Sequence, residues 1–292
     1  MSSEMKIVNH VVAQGSGIPV VLVHAFPVDH RMWLECARQL TEQAQADGLE
    51  PFPIYAPDTP GAGVSPVPSE GETGGADQDG AYPQALDRMA DSYAQLLTDL
   101  GHTRAIWVGL SMGGYLVTAI QRLYPQMVAG FALCDTTTAA DKPESRANRL
   151  CIARECESTG SVDSVMHFAQ AGPQDSTVKR SAECVATFTN WIESQSPEGI
   201  AWRQRMAAGR PDQSKVLDSV RVPSAVISGE LDPSSPPEAM RPIVDALQAS
   251  RPEFTRIADC GHFSAVEHPS QVASALLALV NRVGQAALTV ER

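Results

Sequence analysis

Ala105-Ile106-Trp107-Val108-Gly109-Leu110-Ser111-Met112-Gly113-Gly114-Tyr115 is the stretch whose reading decides the fold. An apolar, β-forming run enters Gly-Leu-Ser-Met-Gly, and an apolar segment at helical spacing leaves it. That is the strand, tight turn and helix of a nucleophile elbow, in which a serine hydroxyl is held at the edge of an α/β sheet. Both glycines have a mechanical reason to be there. The serine sits in a strained backbone conformation, and side chains on Gly109 or Gly113 would collide where strand and helix cross closely. With Gly and Ser each near 7% of residues, a chain of this length meets G-x-S-x-G by chance about 0.1 times. The strand before and the helix after therefore carry the reading.

Working outward, the continuous apolar run at 19–23 and the segment at 128–134 read as strands buried on both faces of a parallel sheet, and 52–56, 224–228 and 254–258 read as further strands. A first strand is expected over 6–13. Helices are expected over 30–46, 82–100, 237–249 and 269–283, so that strands and helices alternate as in a doubly wound, mostly parallel sheet. Two stretches break the rhythm. Residues 66–81 are dominated by Gly, Glu, Asp, Pro and Ser, with no Lys or Arg, and read as a flexible acidic surface loop. Residues 136–219 show helical patterns without a convincing strand, and carry Phe168, Phe188, Trp191 and Trp202. The expected organisation is an α/β core over 1–135 and 220–292, interrupted by a helical cap over 136–219. The cap aromatics are expected to serve packing more than substrate contact.

Composition narrows the function classes. With 43% hydrophobic and 19% charged residues the chain is globular and has material for a large core. A net charge of -12 argues against a general affinity for nucleic acid or anionic membranes. Met1 to Lys6 show no basic segment leading into an apolar one, so no signal peptide is expected, and no apolar run is long enough to span a bilayer. The six cysteines are scattered without metal-ligand spacing, which favours reduced thiols, a cytoplasmic setting, no metal and no cofactor.

A serine hydroxyl is a poor nucleophile without a base, and the base needs an orienting acid. After an elbow of this kind the order along the chain is serine, acid, histidine. Asp232 follows the strand at 224–228 within Gly229-Glu230-Leu231-Asp232-Pro233, and His262 follows the strand at 254–258 within Asp259-Cys260-Gly261-His262. All three candidates then lie at the carboxyl edge of one sheet, where open α/β folds bind ligands. Ser111 is expected to attack a carbonyl carbon, His262 to carry its proton, and Asp232 to orient the imidazole. The backbone N–H groups of Met112 and Phe26 are expected to hold the oxyanion. His24 is expected to be a buried loop histidine, Asp58 to stabilise its own loop, His268 to cap or lie on the surface, and Cys260 to fill space.

The chain resembles the α/β-hydrolase superfamily over nearly its whole length. His24-Ala25-Phe26-Pro27 resembles its H-G-x-P oxyanion turn, with Ala25 in place of the usual glycine. Residues 58–65, Asp-Thr-Pro-Gly-Ala-Gly-Val-Ser, resemble its D-x-x-G-x-G-x-S loop. The wording Gly-Leu-Ser-Met-Gly-Gly, Leu133-Cys134-Asp135-Thr136 and Gly229-Glu230-Leu231-Asp232 is most similar to small esterases, enol-lactone hydrolases and cofactor-free haloperoxidases. The resemblance implies a metal-free serine hydrolase acting on a carboxylic ester or lactone of a small molecule. It also offers Asp135 as an alternative acid, because some relatives place the acid after the strand that follows the elbow helix. Two other readings stand beside it: a cofactor-free haloperoxidase or perhydrolase, and a non-catalytic ligand-binding protein of this fold. Haloalkane dehalogenation is disfavoured, because it requires a carboxylate where Ser111 stands. The chain is expected to be a monomer or a homodimer.

Overall fold

The structure is a computed structural model that describes residues 4–290; residues 1–3 and 291–292, at the ends of the expected core ranges, lie outside it. Seven strands form one sheet: β1 (Val11–Ala13), β2 (Val20–Val23), β3 (Ile54–Tyr55), β4 (Ala105–Leu110), β5 (Val128–Cys134), β6 (Ser224–Gly229) and β7 (Glu253–Ile257). Their order is β1-β3-β2-β4-β5-β6-β7, parallel throughout except for β1, which runs antiparallel to β3. The continuous apolar runs are the central strands, and every residue of β2, β4, β5 and β6 is buried. β7, at one edge of the sheet, is only partly covered: Glu253 and Arg256 are exposed and Ile257 is buried.

Ten helices complete the described chain: α1 (Leu34–Ala46), α2 (Glu70–Thr73), α3 (Ala85–Asp99), α4 (Met112–Leu123), α5 (Pro143–Thr159), α6 (Ala182–Glu193), α7 (Pro197–Gly209), α8 (Pro237–Ala246), α9 (Ser264–Glu267) and α10 (Pro269–Val290). From β2 the chain crosses outward through α1 to β3, then returns through α3 to β4 on the other side of β2. Right-handed crossovers in opposite directions put their helices on opposite faces. Accordingly α1 packs with α10, and α3 packs with α4. The point where the strand order reverses lies between β2 and β4, so the loops leaving these two strands frame a crevice at the carboxyl edge.

Residues between β5 and β6 contain α5, α6, α7 and short 3-10 turns, with α5 and α7 packed together and no strand. Long-range ties hold this insert on the sheet. Arg203, fully buried in α7, donates to Val28 O at 2.9 Å and to Gln195 Oε1 at 3.0 Å. Gln195 in turn reaches Asp29 Oδ2 at 2.7 Å.

Two expectations are corrected. The first strand is shorter than 6–13: β1 begins at Val11, and toward the N-terminus only single bonds remain, Ala56 N–H to His10 O and Asp58 N–H to Val8 O, because Pro57 between them has no N–H to donate. Residues 66–81 are not a free loop. Ser69 and Glu72 close a capping box on α2. Thr73 is buried and accepts the Trp202 indole N–H at 2.9 Å, while Asp77 and Asp79 pair with Arg146 of α5.

Candidate active site

Ser111 stands between β4 and α4 with φ 53 and ψ -114, the strained backbone expected of the elbow. The glycines around it are forced by close approach. A Cβ on Gly109 would fall less than 3.0 Å from the Gly113 carbonyl, and one on Gly113 less than 3.0 Å from the Val23 carbonyl. Gly114 is equally confined by Thr136, whose hydroxyl donates to Ser111 O at 2.6 Å. Ser111 N donates to Cys134 O at 2.9 Å, tying the turn to β5.

The three sequence-distant residues meet. His262 Nε2 lies 2.8 Å from Ser111 Oγ, and His262 Nδ1 lies 2.8 Å from Asp232 Oδ2. Burial alone would lower the imidazole pKa, but the Asp232 bond and charge, with Asp135 and Glu267 nearby, raise it above its ordinary 6.5. The loop carrying His262 is held on both sides by carboxylates. Glu267 accepts Gly261 N–H at 2.7 Å and Phe263 N–H at 3.2 Å. Asp135 accepts Gly229 N–H at 2.9 Å and Ser264 N–H at 3.2 Å, so it ties the Asp232 loop to the His262 loop. Of the two acids the sequence offered, Asp232 is the one against the imidazole. Both Asp135 oxygens point to backbone donors, and burial with the Asp232 charge behind it pushes this carboxyl up to about 7.

Ser111, Met112, Phe26 and His262 line a cleft of about 290 Å3, at the small end of ligand sites. Met112 opens α4, so its N–H is one of the orphan donors of a helix start. The Phe26 N–H has no acceptor among the described residues. Ala25, at the position of the usual glycine, is buried with its N–H on Met32 Sδ at 3.2 Å. Behind this turn, His24 bonds Ala25 O and Thr59 N–H and is buried, which lowers its pKa to about 4.

The remaining sequence candidates fall out as follows. Asp58 is buried and accepts from His30 N–H, Val64 N–H and the rings of His10 and His30. Those two rings stack with centroids 3.4 Å apart, and the three side chains form a group that could hold a metal ion; the sequence reading missed it because 10, 30 and 58 have no local spacing. His268 Nε2 donates to Asp259 O at 3.0 Å, and Cys260 is buried. Trp202 is a packing residue, as expected. Phe168 departs from the packing expectation, since it lines the cleft beside Ser111 and a second cleft of about 330 Å3 on the other side of His262. Three arginines of the insert were also missed. Arg203 stacks over the Phe26 ring at 5.4 Å, and Arg149 and Arg210 line the cleft itself. A sequence with no periodic signal for them could not say which face of the insert turns inward.

The pattern of the Alpha/beta hydrolase family matches residues 20–275. Among solved structures, a thermophilic esterase from Thermogutta terrifontis, determined with malate bound, superposes with a TM-score of 0.78 at 29% identity, over 96% of this chain and 94% of that one. An enol-lactonase from Burkholderia xenovorans LB400 superposes at 0.74 with 20% identity, over 95% and 97% of the two chains, a likeness of fold. Bifunctional epoxide hydrolase 2 of Sus scrofa is 25% identical over 185 residues, 63% of this chain but only 29% of that longer protein. With a mostly parallel seven-stranded sheet and a family pattern running through nearly all of it, this chain belongs to the alpha/beta hydrolase family.

Proposed function

We propose that the protein hydrolyses a carboxylic ester or lactone of a small molecule through a Ser111-His262-Asp232 triad and an acyl-enzyme. The observation that carries this reading is the unbroken relay, at 2.8 Å and 2.8 Å, from Asp232 through His262 to a serine at the floor of a cleft. Ser111 Oγ attacks the carbonyl carbon as its proton passes to His262 Nε2. The tetrahedral oxyanion takes hydrogen bonds from Met112 and Phe26 N–H, each such donor being worth about 3 kcal/mol of barrier. The C–O bond to the leaving alcohol breaks as His262 returns the proton to it. Water then attacks the acyl carbon with His262 again as base, releasing the acid and restoring Ser111. Asp232 holds Nδ1–H throughout and stabilises the imidazolium.

Residues 136–219 act in this reading as a cap that shapes the acyl site. No helix among the described residues is long and apolar enough to cross a membrane, and the six cysteines are unpaired, which fits a reducing cytoplasm.

The test is a series of p-nitrophenyl esters from acetate to octanoate, beside phenolic esters and a lactone, with Ser111→Ala as control and a fluorophosphonate as covalent probe. Turnover and labelling are expected in the native protein, and Ser111→Ala should lose at least about 10^4-fold of turnover and all labelling. Hydrolysis surviving intact in Ser111→Ala would sink the triad. An unlabelled, inactive but folded protein would point to ligand binding without catalysis.

A further inference from the structure

The wall of the cleft opposite in kind to the triad carries two arginines. Arg149 of α5 and Arg210, which follows α7, both line the cleft that holds Ser111. They share one carboxylate: Arg149 Nε donates to Asp141 Oδ2 at 2.6 Å, and Arg210 Nη2 to Asp141 Oδ1 at 2.7 Å. Burial would raise the Asp141 pKa, yet the two arginines hold it below its ordinary value, so it stays ionised. At this end of the cleft two guanidiniums thus share one carboxylate, while the other carboxyl in the lining, Asp135, is turned to the Gly229 and Ser264 N–H groups behind the triad, in a protein whose net charge is -12.

The donors are also unevenly used. Arg210 has 3% of its side chain exposed, is stacked on the Tyr115 ring at 4.1 Å, and has a buried Nε without an acceptor. Arg149 has 24% of its side chain exposed, and its Nη1 donates to Gln204 Oε1 at 3.1 Å. Tyr115 is a further hydrogen-bond partner of its guanidinium. Ser145 lies one turn before Arg149 on the same face of α5 and lines the same cleft. A guanidinium held largely out of water favours an anion beside it, and Arg next to hydroxyls is suited to a carboxylate.

We infer that Arg149, backed by Asp141 and Arg210, is a carboxylate subsite, and that the substrate is a short acyl ester or lactone carrying a second, free carboxylate. The inference rests on the ester-hydrolase reading above. In an acyl-enzyme of this kind the ester carbonyl lies at Ser111 while the distal carboxylate lies against the Arg149 guanidinium. The cleft volume of about 290 Å3 restricts the acyl part to a few carbons.

Monobenzyl succinate tests this against two neutral partners of like length, benzyl butyrate and benzyl methyl succinate, with benzyl alcohol release as the readout. The wild type is expected to favour the half-ester at least tenfold in kcat/KM, mostly through KM. Arg149→Met should collapse that ratio to near one, and Arg149→Lys should restore part of it, with melting curves confirming both folds. A wild-type ratio near one, or a ratio kept in Arg149→Met, overturns the subsite while leaving the esterase intact. If neither ester turns over and Ser111 resists the fluorophosphonate, the esterase reading is what has failed. Calorimetry with succinate then decides the subsite on its own: binding by the wild type and not by Arg149→Met supports it, and no binding by the wild type overturns it. Binding of inorganic phosphate but not of succinate overturns the carboxylate assignment.

Discussion

A Cβ on Gly113 would fall less than 3.0 Å from the Val23 carbonyl, and the obstacle is backbone of a central strand that cannot step aside. Gly284 in α10 is the counterexample: it is exposed, and a Cβ there meets nothing within 4 Å. Gly113→Ala is therefore expected to lower stability by about 3 kcal/mol or more, the upper end of overpacking costs. Gly284→Ala should raise it by up to about 1 kcal/mol, because alanine replaces glycine in a helix interior. Urea unfolding of both variants checks the pair, and effects of the same sign would refute the close-approach account. This part of the site was legible in the sequence, since a strained turn between strand and helix demands glycine wherever it occurs. Arg149, Arg203 and Arg210 were not legible. Each owes its position to the packing of the insert on the sheet, and α7 is buried on nearly all sides, so no polar face announces which arginine turns inward.

Among the elements, β2, β4, β5 and β6 were readable because strands buried on both faces need continuous apolar runs. The failures came where burial is one-sided or where contacts are polar. β1 sits at the edge and pairs with a register shift between Val11 and Ala13, which leaves no trace in hydrophobic pattern. In 66–81 composition speaks for a free loop, although Ser69-x-x-Glu72 has capping-box spacing and closes one. The tethers of that segment come from the insert. Arg146 pairs with Asp77 and Asp79 and also bonds Ala208 O, and Arg205 donates to Gly80 O at 2.8 Å. Partly exposed pairs of this kind contribute little to global stability, about 1 kcal/mol at most, but they hold a local turn. In Arg146→Ala, amide exchange at Asp77 and Gly80, whose N–H groups bond Ala81 O and Asp77 O, should accelerate at least tenfold. The unfolding free energy should stay within about 1 kcal/mol of wild type. Unchanged exchange at these two amides would show that the segment is held without the arginine.

Over the whole molecule, the strand order was out of reach of the sequence, because pairing of distant strands is not a local property. What the sequence did supply was the direction of every central strand. A parallel sheet sends all its strand ends to one edge, which is why Ser111, Asp232 and His262 could be expected together and are found within 2.8 Å of their partners. The same convergence concentrates titratable groups there, and this separates the pH of best stability from that of best activity. His262 must be neutral to accept the serine proton, and its pKa is raised above 6.5 against the pull of burial by Asp232, with Asp135 and Glu267 adding to it. The acid limb of kcat/KM should therefore lie above pH 6.5. Stability runs the other way in that range. A histidine whose folded pKa is raised stabilises fully below its unfolded value, and that contribution is lost as pH rises through the folded one. Asp135, raised to about 7, likewise loses stability as pH climbs from 3.8 toward 7. His24, lowered to about 4, has the opposite sign: its contribution is present above 6.5 and fades as pH falls toward 4, which offsets Asp135 in that interval. Above pH 6.5 only the losses remain, at about 1.4 kcal/mol per pH unit for each proton of difference. Urea unfolding should give a lower free energy at pH 8.5 than at pH 6, while kcat/KM rises over the same span. An acid limb at or below 6.5 would mean that Asp232 does not hold the imidazolium, and equal stability at the two pH values would mean that the folded state does not bind these protons more tightly than the unfolded chain.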